Sequence, residues 1–186
     1  MIVWIDTETT GLDPAKENLL EIAVVVTDDN LNEIATYETL ISGADLDDLD
    51  DFIVEMHTKS GLLDSLRAGE GKPLADVSAE IVAWLTALAP ASDLKKIPLG
   101  GSSVQFDRNF LQVHMPDVIG LLSYRNMDVS SMTELYKRAD AKGYAKRRKE
   151  NRVVAHRAID DIRYSISEAK FFAERKFAPV WRRWFR

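Results

Sequence analysis

The fold of this chain follows from one stretch, LLEIAVVVT at residues 19–27. The stretch is rich in β-branched residues and almost continuously apolar, which is typical of a strand that is covered on both faces. A shorter apolar run at residues 2–6 precedes it, and a third strand-like run at residues 31–41 follows the turn signal Asp28-Asp29-Asn30. Three strands joined by turns this short predict an antiparallel meander at the start of the fold.

Helical and strand patterns alternate after the meander. Their spacing predicts short strands at 96–100 and 124–129, and helices near residues 54–66, 75–88, 106–113, 130–139 and 157–177. The buried face of the second helix would consist of Val77, Ile81, Trp84 and Leu88, and Ser130 would cap the fourth. This order indicates one α/β domain over residues 1–178, with a mixed five-stranded sheet flanked by helices and a tail at 179–186.

Composition removes several classes of function. The 186 residues are 46% hydrophobic and 29% charged, as in an ordinary globular domain, and the absence of cysteine excludes disulfides, thiolate metal sites and a cysteine nucleophile. No apolar run reaches 18 residues, and the N-terminus lacks a basic segment followed by an apolar one, so we expect a cytoplasmic protein without a membrane span. The net charge of −6 argues against a protein that coats long nucleic acid.

Two acidic residues, Asp6 and Glu8, lie at the end of the first strand. Positions i and i+2 of a strand face the same side, so both carboxylates can converge on one point. Such a pair costs free energy on an apolar strand unless a cation lies between its members. Taken alone, the pair is a weak signal, because a solvated turn is the more common explanation of two such acids.

Two further acids stand at predicted helix starts. Asp107 follows the fourth strand, and Asp161 begins the last helix. On a helical wheel Asp161 flanks the predicted apolar stripe, whereas Asp160 points away from it; that stripe consists of Ile162, Ile166, Ala169 and Ala173. Asp161 is therefore the inward candidate.

Four carboxylates without cysteine suit hard cations such as Mg²⁺ or Mn²⁺. Two such ions about 4 Å apart are the arrangement for in-line attack on a phosphodiester. A histidine side chain is suited to deprotonating the attacking water, and His156 lies five residues before Asp161 in the sequence. The sequence thus predicts a two-metal site with His156 as the general base.

Two charged runs flank these motifs. The acidic run at residues 45–51 is typical of a solvated loop or helix end. The basic run at residues 142–152 predicts a loop, which is either merely solvated or in contact with nucleic acid.

The acidic residues and their spacing resemble a known family. The segment DTETTGL at residues 6–12, Asp107 and His156-x4-Asp161 match the order and spacing of the DEDDh group of 3′-to-5′ exonucleases. Longer segments are similar to oligoribonucleases, namely MHTKSGL at 56–62, DRNFL at 107–111, YRNMDVS at 124–130 and HRAIDDIR at 156–163. The resemblance covers residues 2–177. It implies an RNase H-like fold, a homodimer, two divalent ions and single-stranded RNA substrates of two to a few nucleotides, especially dinucleotides.

The resemblance also implies a role for individual residues. Metal would be held by Asp6, Glu8, Asp107 and Asp161, with His156 as the base. Leu12 would wedge between two bases, Phe52 stands where an aromatic Trp is usual, and Tyr124 would reach the other subunit's site. A cap on the substrate's 5′ phosphate would consist of His57, Ser103, Arg125, Ser130 and Thr133. The alternatives to these roles are structural: Leu12 and Phe52 would belong to the core, and Ser130 would only cap a helix.

The chain departs from the oligoribonuclease pattern at three positions. Thr7 and Thr9 stand where Leu and Met are usual, so that DTETTG resembles proofreading exonucleases and ribonuclease T, and Ser102 replaces a usual Asn. Three hypotheses follow. The first is an exoribonuclease acting on very short RNA, and the second is a proofreading- or ribonuclease T-like exonuclease acting on longer DNA or RNA 3′ ends. The third is a non-catalytic nucleic-acid-binding module, which we would expect to lack a metal carboxylate.

Overall fold

A six-stranded sheet forms the centre of the computed structural model, which describes residues 1–150 and 156–174. The strands are β1 (Ile2–Thr9), β2 (Leu19–Thr27), β3 (Glu33–Ser42), β4 (Lys72–Pro73), β5 (Leu99–Gly101) and β6 (Asn126–Asp128), in the spatial order β4-β3-β2-β1-β5-β6. The first three strands pair antiparallel, which confirms the predicted meander, and β5 and β6 continue the sheet in parallel. The sheet has six strands and not five, because the two-residue β4 pairs with β3 and is too short to show a pattern in the sequence.

Helices cover both faces of this sheet. They are α1 (Asp51–Lys59), α2 (Leu62–Arg67), α3 (Leu74–Leu88), α4 (Ala91–Leu94), α5 (Gln105–His114), α6 (Pro116–Leu121), α7 (Val129–Ala139), α8 (Ala141–Glu150) and α9 (Ala158–Glu174). The single helix expected at 54–66 is two helices, because Gly61 adopts a left-handed conformation with φ +76° between them. Pro116 separates α5 from α6 and opens α6 at a position where its missing N–H costs nothing.

Two local predictions were wrong for identifiable reasons. Ser130 does not cap α7; the cap is Asp128, whose side chain accepts a hydrogen bond from the backbone N–H of Ser130 at 2.9 Å. The part of the basic run that the structure describes is helix α8 rather than a loop. Arg147 joins this helix to α9 by donating from Nε to Glu168 Oε1 at 2.8 Å, and its guanidinium lies 3.7 Å from the centre of the Phe171 ring.

The core lies on the two sides of β1 and β2. Both faces of β2 are buried, as its composition predicted. Helices α3, α5 and α6 pack on one face, and α9 and α7 pack on the other. The buried face of α3 contains Leu85 and not Leu88, which is 40% exposed. On α9 the buried side chain near the end is Phe172, whereas Ala173 is exposed.

No helix within residues 1–150 and 156–174 is both long and apolar enough to cross a membrane. The predicted domain end near residue 178 and the tail at 179–186 lie outside the described residues.

Candidate active site

Strand alternation divides the residues of β1 between the two faces of the sheet. Trp4 belongs to the core cluster under α9, and Asp6 and Glu8 follow on the same face at spacings of two. Ile5 belongs to the opposite cluster, and Thr7 follows it towards α5. The face that carries Asp6 and Glu8 is therefore the one to which α9 brings Asp161.

Three carboxylates meet on that face. Asp6, Glu8 and Asp161 each place one oxygen within 4.8 Å of the other two. Asp161 is half-buried while its neighbour Asp160 is exposed, which confirms the orientation that the helical wheel predicted. We call Asp6, Glu8 and Asp161 the carboxylate cluster.

Asp107 lies next to this cluster, in the first turn of α5. It is buried, and its Oδ1 accepts hydrogen bonds from the backbone N–H of Thr7 at 2.9 Å and from Thr7 Oγ1 at 2.8 Å. These bonds fix the orientation of the carboxyl group. Asp107 is also close enough to raise the pKa of Asp6 electrostatically.

Burial perturbs all four acids, and repulsion from neighbouring carboxylates adds to it at Asp6, Glu8 and Asp161. Burial raises the pKa of Glu8 to about 8, with further contributions from Asp161, Glu21 and Asp107. Burial likewise raises the pKa of Asp107 to about 7, against the lowering effect of the Thr7 hydrogen bonds. The pKa of Asp6 and that of Asp161 are raised as well, in both cases mainly by burial.

Such a group of buried acids is unfavourable without a cation. An all-oxygen donor set with this much negative charge fits a hard divalent ion, which would remove the repulsion and lower these pKa values. The carboxylate cluster can therefore bind a metal ion.

His57 lies next to Glu8 of the carboxylate cluster. Its ring is fully buried, with Nε2 3.1 Å from the carbonyl oxygen of Thr9. Its Nδ1 lies 3.8 Å from Glu8 Oε2 and has no hydrogen-bond partner within the part of the chain that the structure describes. Burial lowers the pKa of this imidazole. The structure thus places His57 against Glu8, so its predicted phosphate contact would need the ring to become accessible.

The other predicted cap residues lie around the start of α7. Ser103 Oγ and Ser130 Oγ are 3.2 Å apart, and Asp128 Oδ1 accepts from the backbone N–H of both residues. Thr133 is half-buried one turn further along α7. Asp128, which sequence reasoning did not single out, is therefore the residue that ties these two serines together.

The remaining predicted substrate contacts are exposed. Leu12 is 82% exposed, Phe52 68% and Tyr124 79%, so none of them is a core residue. The Arg125 guanidinium lies 4.9 Å from the centre of the Tyr124 ring. The structure leaves these side chains open to a ligand or to another subunit.

Sequence reasoning also missed Arg108. Its guanidinium is largely buried and donates to Asn126 Oδ1 at 2.7 Å and to the carbonyl oxygens of Ser123 and Arg125 at 2.9 and 3.3 Å. Arg108 thereby anchors the segment that presents Tyr124 and Arg125. The signal available in the sequence was an arginine directly after a candidate metal ligand.

Known proteins resemble the chain over most of its length. The family described as exonuclease, RNase_T, matches residues 3–169. An oligoribonuclease of Leifsonia xyli is 38% identical over 179 residues, which are 95% of this chain and 84% of the relative. The oligoribonuclease of Halorhodospira halophila is also 38% identical, over 92% of this chain and 91% of its own, and that of Yersinia enterocolitica is 38% identical over 93% of each.

Solved structures share the fold. An exonuclease I, whose structure suggests how processivity is achieved, superposes with a TM-score of 0.71 at 21% identity, over 94% of this chain and 41% of that one. The exonuclease I of Methylocaldum szegediense gives a TM-score of 0.70 at 17% identity, over 94% and 40%. This chain therefore spans about two fifths of those proteins. The likeness confirms the predicted α/β, RNase H-like exonuclease fold.

Fold and carboxylate cluster together define a hydrolytic 3′-to-5′ exonuclease. The chain belongs to the RNase_T exonuclease family and, within it, to the oligoribonucleases.

Proposed function

We propose that the protein degrades very short single-stranded RNA, especially dinucleotides, from the 3′ end to mononucleotides. The observation that carries the proposal is the convergence of Asp6, Glu8 and Asp161 within 4.8 Å, with buried Asp107 beside them. Relatives named oligoribonuclease, 37–38% identical along nearly the whole chain, support RNA as the substrate.

The metal part of the proposal follows from the donor set. Asp6, Glu8, Asp107 and Asp161 would hold two divalent ions, Mg²⁺ or Mn²⁺. When bound, such ions activate water and stabilise the negative charge that develops on the departing 3′ oxygen. Hydrolysis breaks the P–O3′ bond and releases a nucleoside 5′-monophosphate.

The protein's own residues would position the reactants. His156 is half-buried and lies close enough to Asp161 to oppose, electrostatically, the rise in the pKa of that carboxyl group that burial causes. It would accept the proton of the attacking water. Leu12 and Phe52 would stack with the bases, and His57, Ser103, Arg125, Ser130 and Thr133 would hold the 5′ phosphate. A homodimer, in which Tyr124 reaches the partner's site, and a cytoplasmic location, where short RNA arises, belong to the same proposal.

The test is digestion of end-labelled RNAs of two to ten nucleotides, with DNA of the same lengths as the control. We expect dinucleotides to disappear fastest and RNA to be preferred to DNA. Dissociation constants measured in Ca²⁺ separate binding from turnover. Equal rates at all lengths would contradict the short-RNA proposal and favour the second candidate.

That second candidate is a proofreading- or ribonuclease T-like exonuclease acting on longer 3′ ends. One observation favours it: Thr7 and Thr9, two of the three departures from the oligoribonuclease pattern, form side-chain hydrogen bonds near the cluster. Thr7 Oγ1 donates to Asp107 Oδ1 and Thr9 Oγ1 donates to the carbonyl oxygen of Gly11 at 2.7 Å. A non-catalytic binding module is disfavoured, because all four predicted carboxylates are present and perturbed.

A further inference from the structure

Glu21 is a fifth carboxylate beside the cluster. It lies on β2 directly opposite Glu8 of β1, on the same face of the sheet, and is only 2% exposed. It is also the one charged residue in that strand. A buried acid next to Glu8 adds repulsion to a site that is already crowded with negative charge, so its presence there needs a physical reason.

The contacts of Glu21 supply that reason. Its Oε1 accepts from Arg157 Nε at 3.0 Å and from Arg157 Nη2 at 2.7 Å. Its Oε2 accepts from the backbone N–H of Ala158 at 3.1 Å, and from Arg157 Nε at 3.2 Å. Both oxygens are thus engaged with the start of α9. Glu21 is therefore not a free ligand but a cap on α9 that is supplied by another strand, with a negative charge placed at the helix N-terminus.

Arg157 directly precedes α9 and lies between the candidate base His156 and the candidate metal ligand Asp161. His156 precedes it with φ +48°, a left-handed conformation that residues other than glycine rarely adopt. The Arg157 carbonyl accepts the backbone N–H of Asp161 at 3.1 Å, which sets the first turn. Strained backbone persists only where its surroundings hold it, and the Glu21 carboxylate binds the two residues that directly follow His156.

We propose that Glu21, through Arg157, is a positioning residue that sets Asp161 for metal binding and His156 for proton transfer. Metal ligands must be held within about 0.5 Å of the productive geometry by groups behind them. Without Glu21, helix α9 would still dock through Ile162 and Ile166, but its first turn would be free to shift. The proposal rests on the proposed roles of Asp161 and His156, and not on the length of the substrate.

The chain contains a matched control. Arg163 also links α9 to the sheet, through Glu33 of β3 at 3.3 Å, but both side chains are largely open to solvent. The two ion pairs join the start of α9 to the same sheet on either side of Asp161 and differ in burial, because Glu21 is buried whereas Glu33 is exposed. If both ion pairs only tethered the helix, variants of the two pairs would differ in their free energy of unfolding and in nothing else.

The experiment compares Glu21→Gln and Arg157→Lys with Glu33→Gln and Arg163→Lys in the full chain. Mn²⁺ dissociation constants are measured calorimetrically without substrate, followed by thermal unfolding, and by kcat and KM with a short RNA. We expect Glu21→Gln to weaken Mn²⁺ binding about 10- to 100-fold, the usual effect of removing a group that orients a ligand. Its kcat should fall more than its KM changes, and excess Mn²⁺ should restore part of the loss. The Glu33→Gln and Arg163→Lys variants should keep the wild-type Mn²⁺ affinity.

Two results would overturn the proposal. One is a Glu21→Gln protein that melts earlier yet binds Mn²⁺ as tightly as the wild type; the other is equal weakening by Glu33→Gln. If Glu21→Gln does not fold, Arg157→Lys is judged by the same criteria, because it keeps the charge and loses the forked contact. A wild-type protein that binds Mn²⁺ but does not cleave short RNA would refute the proposed substrate. The role of Glu21 would still be tested by the Mn²⁺ dissociation constants of the variants.

Discussion

The carboxylate cluster and the exposed substrate-binding candidates differ in how their residues are held. Asp6, Glu8 and Asp161 lie on neighbouring elements and already converge. Leu12, Phe52 and the pair Tyr124-Arg125 extend into solvent from three separate segments. If the proposed roles are right, the fold itself builds the chemical half of the site, whereas the substrate or the partner subunit would complete the binding half. Variants in the first half should therefore change kcat, and variants in the second should change affinity.

The largest effect is expected from the cluster itself. Asp6→Ala or Asp161→Ala should reduce turnover in Mg²⁺ to below a few per cent, because a two-metal site loses an ion that the transition state needs. The fold should remain, and the metal-free protein should melt higher than the wild type, because a repelling buried acid is gone. The control is exposed Asp160→Ala, which should keep its activity. Turnover above a few per cent of the wild-type rate in either cluster variant would remove that residue from the metal site.

His156→Ala should have the next largest effect. General-base catalysis contributes about 10²- to 10⁴-fold, so kcat should fall by that factor while RNA still binds in Ca²⁺. The matched variant is His114→Ala, whose ring contacts the Pro14 carbonyl at 3.0 Å on the other face of the sheet and should matter little for the rate. An unchanged kcat in His156→Ala would mean that another group activates the water.

Several features of this division were predictable from the sequence. Strand periodicity placed Asp6 and Glu8 on one face, and the helical wheel separated Asp161 from Asp160, because both arguments need only local geometry. Glu21 was missed because its partner is 136 residues away, although one acid in an otherwise apolar strand was a signal. The split of the helix at Gly61 depends on a backbone conformation, and β4 is too short to have a period. The burial of His57 depends on packing that the segment MHTKSGL does not reveal.

On the binding side, Arg125→Ala should weaken dinucleotide binding about 10-fold or more, since hydrogen bonds from a charged group contribute roughly 1.5–3 kcal/mol. It should also flatten the dependence on length, because longer RNA would lose less. Dissociation constants in Ca²⁺ for two to seven nucleotides measure both effects. The paired variant is Tyr124→Ala. If Tyr124 acts across a dimer, the loss of affinity that this variant causes should be smaller in a sample diluted to monomers. An unchanged length profile in Arg125→Ala would refute the phosphate cap.

Removing the metal tests the electrostatics of the cluster. The pKa of Glu8 is about 8 in the folded protein and near 4.5 in the unfolded chain, so the folded state binds this proton more tightly. The associated stability is fully present below about pH 4.5 and is lost as the pH rises towards 8. In EDTA, the melting temperature should therefore fall across that range by several degrees, and Mg²⁺ should reverse the fall at pH 8. Glu8→Gln should reduce this dependence, and the part that remains comes from Asp6, Asp107 and Asp161, whose pKa values are also raised.

The smallest expected effects come from the hydroxyl groups of Thr7 and Thr9, which lie on the same strand. Because the two groups are so similar, they give the sharpest comparison between the chemical half and the binding half of the site. Thr7 Oγ1 donates to Asp107 Oδ1 at 2.8 Å, whereas Thr9 Oγ1 donates to the Gly11 carbonyl at 2.7 Å and so supports the turn that presents Leu12. Thr7→Val leaves Asp107 with the backbone N–H of residue 7 alone, so the loss should be about 1 kcal/mol, or roughly fivefold, in kcat. Thr9→Val should instead raise KM by a similar factor and leave kcat nearly unchanged. In both cases the matching serine variant should restore the wild-type value, because it keeps the hydroxyl. If Thr7→Val and Thr9→Val change kcat and KM in the same proportion, then the two threonines do not serve catalysis and substrate binding separately. The division of the site into a chemical half and a binding half would then not hold within β1.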